Sequence, residues 1–310
     1  MSILPLIMPL FILAIIGWGF AKTNRYLPVG WSKGVNALTA RVLVPCLLFL
    51  GMYRHGLPGQ QSWGILLSFY IALLLLFWFL YFVQSKQKER APIALAGAFS
   101  NLVYVGVPVV SNLFGEQALS YLFPIVAFHS LILFSLYYFA DSLGNEGKIQ
   151  LSVLMKPLKN PIVVSLLLGL IANLIHISLP KMLINTLSMG ARAALPCALI
   201  VMGASLADIS FKHGKWQVVL ILVGKLLILP FLVLVLSHFV FAMPIRITSV
   251  LVVMASGPVG INAYVVVRSN GGDAPTVSSA ILLSCWLSIL AWPFWLWVIH
   301  QLGTASLGGI

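Results

Sequence analysis

Few residues in this chain could do chemistry, and they gather in two stretches. SNLVYVGVPVVSNLFGEQ, from Ser100 to Gln117, sets Ser100, Asn101, Gly106 and Pro108 inside an apolar run, and ASGPVGINAYVVV, from Ala255, sets Ser256, Gly257, Pro258 and Asn262 inside another. Glycine and proline lower helix stability and free backbone groups from their i to i−4 partners. The chemistry on offer is anion binding. A helix that restarts after a break presents N–H groups without intrahelical acceptors, and the amides of Asn101 and Asn262 donate to a carboxylate without a charge to desolvate. Ser100 and Ser256 add hydroxyls, although polar side chains also bridge membrane helices for purely structural reasons.

Lys225, in LVGKLLILP, lies near the middle of a third apolar run, with no carboxylate expected inside any run to pair with it. Such a lysine is neutralised by burial or attracts an anionic solute. His129, in VAFHSLILF, can pass protons near neutral pH, whereas a lone helix histidine more often satisfies a packing hydrogen bond. Arg41 and Arg192 sit about two turns into their runs, near enough to snorkel to the headgroups. A structural or dimer-interface role is the simpler account for both, even though an ionisable residue within a membrane usually serves function. Glu116 and Asp273 follow glycine and precede new runs, which suits helix caps. Cys46, Cys197 and Cys285 have neither CxxC nor histidine spacing and read as packing residues, so neither disulfide nor metal is expected. With no Ser/His/Asp or Cys/His set and no phosphate loop, an enzyme, a bound cofactor and direct drive by ATP are all disfavoured.

The elements that must carry these residues are membrane helices. Of 310 residues, 61% are hydrophobic and 8% charged, with a mean hydropathy of +1.05, far from the polar surface a soluble fold needs. Apolar runs of about 17 to 25 residues suit bilayer helices and not the short alternating strands of an outer-membrane barrel, so an all-α integral membrane fold is expected. Ten spans are predicted at about 3–21, 35–53, 63–84, 92–110, 118–140, 161–178, 182–206, 215–241, 247–267 and 275–299. The opening stretch lacks a basic n-region and a cleavage site and reads as a retained first helix. The net charge of +12 is scattered between apolar runs, with no basic stripe for nucleic acid. Twelve Lys and Arg fall in loops after odd-numbered spans and three (Arg54, Lys181 and Arg246) in the other loops, which by the positive-inside rule places both termini outside.

The chain also repeats itself. ARVLVPCLLFLGM and ARAALPCALIVMGASL align at an offset of 151, matching Arg41 with Arg192, Pro45 with Pro196 and Cys46 with Cys197. That offset skips five spans, an odd number, so the second copy enters the membrane in the opposite direction, as in the inverted repeats of many secondary transporters. The fourth and ninth spans align at 157, pairing Gly115-Glu116 with Gly272-Asp273 and Asn101 with Pro258. Two spans interrupted at corresponding points of inverted halves predict a binding site near the bilayer midplane.

At these residues the sequence resembles the auxin efflux carrier family, within the wider bile acid and auxin transporter group. SNLVYVGVPVVSNLFGEQAL is similar to that family's Asn-x-x-x-x-Gly-x-Pro stretch, ASGPVGINAYVVVRSNGGDA to its ninth-helix stretch, and LKNPIVVSLLLGL and LPCALIVMGASLA to its sixth- and seventh-helix signatures. The resemblance implies two inverted five-helix repeats, 1–150 and 151–310, with broken helices 4 and 9 crossing beside the substrate at Asn101 and Pro258. It implies a secondary or potential-driven carrier of a small organic anion, such as malonate or malate, that works by an elevator-like motion. Spans 3–5 and 8–10 would move against a scaffold of spans 1, 2, 6 and 7, in a multi-pass protein of the bacterial inner membrane, often dimeric, coupled to protons or sodium. The short segment from Asp141 to Asn160 points to a compact bacterial-type member. The competing expectation is a non-transporting sensor on the same fold, for which a signalling domain would be needed. A carrier of neutral or cationic solutes should place acids inside spans, and all six acids read as loop or span-end residues.

Overall fold

The computed structural model describes residues 4–23, 27–28, 30–56, 61–144, 161–207 and 215–307. Arg25, Lys148, Lys156, Lys159 and Lys212, which carry part of the charge asymmetry, lie outside the described residues, as do Glu146 and Asp208. Among the described residues the protein is built from helices: α1 (Leu4–Thr23), α2 (Trp31–His55), α3 (Gln61–Val83), α4 (Gln87–Ala98), α5 (Leu102–Phe114), α6 (Leu119–Gly144), α7 (Pro161–Leu174), α8 (Lys181–Ala207), α9 (Trp216–Val240), α10 (Ile245–Ala255), α11 (Ile261–Ser269) and α12 (Ala274–Leu307). Six of these, α2, α3, α6, α8, α9 and α12, are long and apolar enough to cross a membrane, and α1, α5, α7 and α10 carry shorter apolar segments. In hydrocarbon a helix satisfies its own backbone, which is why so apolar a chain takes this form throughout.

Helix termini follow the punctuation of the sequence. Pro161 opens α7, where its missing N–H costs nothing, and the carboxylate of Asp273 accepts the Thr276 N–H at 3.2 Å, capping α12. The sixth span, expected to reach residue 178, stops at Leu174. His176 takes a φ of 54° there, and the Ile177 N–H returns to the Ala172 carbonyl at 3.0 Å, closing the helix in the manner usually served by glycine. The Tyr53 hydroxyl, donating to the Ile177 carbonyl at 2.9 Å, holds the chain beyond.

Three helices contain a five-residue π segment ending two residues before a proline: Thr39–Leu43 before Pro45, Leu102–Gly106 before Pro108 and Gly224–Ile228 before Pro230. A proline ring collides with the carbonyl four residues back and offers that carbonyl no N–H. A wider turn just upstream relieves the collision. In α9 the carbonyl deprived by Pro230 is that of Leu226, and the indole N–H of Trp295 on α12 donates to it at 2.8 Å.

The helices group into two contact units. The first comprises α1, α2, α5, α6 as far as Phe128, α7 and α8. Here α1 and α8 meet through glycine: a Cβ on Gly17 would overlap the Ile200 carbonyl, and one on Gly203 the Ala14 carbonyl. Close backbone approach at small residues is how helices bind one another where lipid removes the hydrophobic drive. The second unit comprises α3, α4, α6 from His129, and α9 to α12. Trp292 and Phe77 are among its largest fully buried side chains, and Gly97 packs against Leu80, whose Cδ1 would have to move aside for a Cβ.

Candidate functional site

Within the second unit both interrupted stretches leave helical geometry and cross. The helix α4 ends at Ala98, and Phe99 turns extended with φ −80° and ψ 109°. The helix α10 ends at Ala255, and the chain returns to helix only after Gly260, at φ −76° and ψ 136°. The two extended segments run antiparallel and pair about Ser100 and Val259. The Asn101 N–H donates to the Pro258 carbonyl at 3.0 Å and the Gly260 N–H to the Phe99 carbonyl at 2.8 Å. Pro258 therefore sits at the position that contributes a carbonyl and is asked for no N–H.

In a bridge of this kind the central residues exchange no bonds with each other, so their own N–H groups point outward. Both are met by side chains. The Ser100 N–H donates to Nε2 of His129 on α6 at 3.0 Å, and the Val259 N–H to Oγ of Ser284 on α12 at 3.0 Å. His129 is 3% exposed, its ring tilted at 59° against that of Phe99 with centroids 4.8 Å apart. With Nε2 accepting, the neutral ring carries its hydrogen on Nδ1.

The last carbonyls of α10 are also claimed. The Nζ of Lys225 donates to the Ala255 carbonyl, and the Trp292 indole N–H and the Ser256 hydroxyl donate to the Val253 carbonyl at 3.1 and 3.2 Å. Lys225 is fully buried, so its side chain closes the C-terminal, electronegative end of a helix. Two helices restart at the crossing: α5 begins one residue beyond Asn101, and α11 begins at Ile261 with half-buried Asn262 in its first turn. First-turn N–H groups and a buried amide favour an anion. The carbonyls of Phe99, Ser100, Val253, Ala255 and Pro258 already accept hydrogen bonds, which leaves them poorly placed to hold a cation.

A family model described as "Membrane transport protein" matches residues 2–296. The chain belongs to that family. It is the auxin efflux carrier family that the motifs resemble. Two relatives match along nearly their full length. An "Uncharacterized transporter" of Methanothermobacter thermautotrophicus is 26% identical over 296 residues, covering 93% of this chain and 96% of its own. A "Putative malonate transporter" of Rhizobium meliloti is 25% identical over 297 residues, covering 92% of each. Together with the six helices of spanning length, family membership makes this a multi-pass membrane transporter.

The residues singled out in this family member's sequence fall in three places. Ser100, Asn101, Ser256, Gly257, Pro258, Lys225 and His129 are brought together at the crossing, all buried, with Asn262 beside them in α11. Gly106 and Pro108 lie on α5 in the first unit, where the chain runs through them as helix, so the fourth span breaks at Phe99–Asn101 without them. The π segment absorbs the Pro108 ring and the helix continues. Arg41 and Arg192 are exposed residues of the first unit. Sequence reasoning missed Ser284 and Trp292, whose parts depend on tertiary partners, and it missed Gly260. A Cβ on Gly257 would meet nothing closer than 3.4 Å, whereas one on Gly260 would lie 2.5 Å from the Phe99 ring and 3.0 Å from the Ser100 carbonyl. The signal was present: Gly260 is the residue that must pair beside a bulky Phe99.

Proposed function

We propose that this protein is a secondary or potential-driven carrier of a small organic anion, a mono- or dicarboxylate, working by elevator-like alternating access across the bacterial inner membrane. The observation that carries the proposal is the antiparallel pairing of the two interrupted helices about Ser100 and Val259, from which α5 and α11 restart. The anion docks at that crossing on helix N–H groups and on Asn101, with Asn262 assisting. Lys225, held to the Ala255 carbonyl, adds positive potential from behind.

Ten crossings in two inverted five-helix repeats, 1–150 and 151–310, form the frame. The matched supports favour that symmetry: His129 on the fifth expected span serves the fourth, and Ser284 on the tenth serves the ninth. The scaffold helices α1, α2, α7 and α8 share one contact unit, which also takes in α5 and α6 as far as Phe128, while α3, α4 and α9 to α12 share the other, so the moving group we propose follows the unit division except at α5 and the start of α6. The "Putative malonate transporter" relative supports a carboxylate as cargo.

Purified protein in liposomes is expected to take up radiolabelled malonate or malate, and Asn101→Ala to lower that uptake at least tenfold while the melting temperature stays within a few degrees. Repeating the assay under imposed pH, sodium and voltage gradients identifies the coupling. If a broad panel of carboxylates neither binds nor crosses, the proposal fails.

A further inference from the structure

The first unit holds a second polar cleft, of about 250 Å³, away from the residues of the crossing. Its polar lining comes from three helices and a turn: Arg54 and His55 at the end of α2, Ser111 on α5, Glu116 before α6, and Ser188 and Arg192 on α8. The floor is tight, since a Cβ on Gly51 would overlap the Phe123 ring. The rim is shaped by two glycines at positive φ. Gly56, at φ 59°, ends α2 directly after His55, and Gly115, at φ 83°, ends α5 directly before Glu116.

The charges here do not cancel. Two guanidinium groups face one carboxylate, and among the described residues Arg54, Arg192 and Glu116 form no ion pair. Arg54 does not turn back on its own helix end. Its Nη2 donates across to the Ser188 hydroxyl at 3.2 Å, which fixes one edge of the guanidinium and leaves the Ser188 hydrogen and the other Arg54 donors for a guest. Arg192 stands one helical turn further along α8, so both cations line the same wall.

We propose that this cleft is a second anion site, taking the carboxylate or phosphate group of a small solute or of a lipid headgroup. Arg54 and Arg192 bind the anionic oxygens, where planar forked donors suit both chemistries. Ser188 donates a third hydrogen bond, and Glu116 selects ligands that also bring a hydroxyl or protonated carboxyl to donate to it. The site stands apart from the crossing and does not depend on transport there.

The test uses the full chain carrying Asn101→Ala, which silences the crossing, in nanodiscs of phosphatidylcholine alone or with phosphatidylglycerol. Malonate, malate, citrate and inorganic phosphate are titrated calorimetrically, and retained lipid is read by native mass spectrometry. Binding of a soluble anion in phosphatidylcholine discs, weakened at least tenfold by Arg192→Gln and by Arg54→Gln, supports the site with a free solute as its source. Retention of phosphatidylglycerol that these substitutions abolish supports it with a headgroup as its source. Should the glutamine variants fail to fold, Arg192→Lys, which keeps the charge but loses the fork, and Ser188→Ala are read instead, each expected to weaken binding severalfold. Anion affinity and lipid retention unchanged in every folded variant would overturn the proposal.

Discussion

The outward N–H groups at the centre of the crossing are each held by one side chain, so each can be cut loose separately. Ser284→Ala leaves the Val259 N–H buried without an acceptor, a loss expected to cost about 1–3 kcal/mol and to lower the unfolding midpoint of the detergent-solubilised protein; Ser284→Thr keeps the oxygen and should hold most of the stability. The glycines flanking Pro258 make a second contrast. Gly257→Ala should be tolerated, while Gly260→Val should force apart the Phe99 and Gly260 backbones and abolish solute binding, because the added carbons fall on the Phe99 ring and the Ser100 carbonyl. Uptake by the two variants, compared at matched incorporation, decides the point. Asn101, Pro258 and Lys225 were legible as special in the sequence because an amide, a ring and a charge are conspicuous in an apolar run. Ser284 was not, since α12 also carries Ser278, Ser279 and Ser288, and only the fold says which hydroxyl faces the orphaned N–H.

At the scale of helices, the positions of most elements could be read from apolar length and from prolines and glycines at their ends, whereas wide turns and close contacts could not. A π segment is the response of a helix to a ring it must accommodate, and it is visible only as geometry. Pro230→Ala restores an N–H able to reach the Leu226 carbonyl and should close the wide turn in α9, releasing Trp295. A shift of the Trp295 indole proton in the NMR spectrum would register that release, and an unmoved resonance would refute it. The glycine contact between α1 and α8 is likewise silent in the sequence, where Gly17 and Gly203 are two of 25 glycines. Gly203→Leu should wedge the pair apart, since its side chain would overlap the Ala14 carbonyl, at an overpacking cost of about 1–3 kcal/mol or more, seen as a lower melting temperature and poorer recovery from the membrane.

For the molecule as a whole, composition identified a membrane protein, because no soluble surface can be made from so few charges, and the length of the apolar runs made it helical. Sidedness is the less direct part, resting on a charge bias. That bias predicts that single cysteines placed at Lys86 and Arg268 in a cysteine-free background are labelled by an impermeant maleimide only from the cytoplasmic side, and cysteines at Arg54, Lys181 and Arg246 only from the opposite side. Labelling of Lys86 and Arg54 positions from one side would reverse or void the assignment. A last consequence comes from the way Phe99, Asn101, Pro258 and Gly260 are joined, which is by main chain alone. A seam stitched without side chains sets few demands on residue identity beyond keeping glycine at 260 and forbidding proline where an amide hydrogen is spent. Cargo preference can then drift by exchanging neighbours around the seam while the seam endures, so libraries randomised at half-buried Asn262 should yield folded proteins with altered appetites more often than unfolded ones.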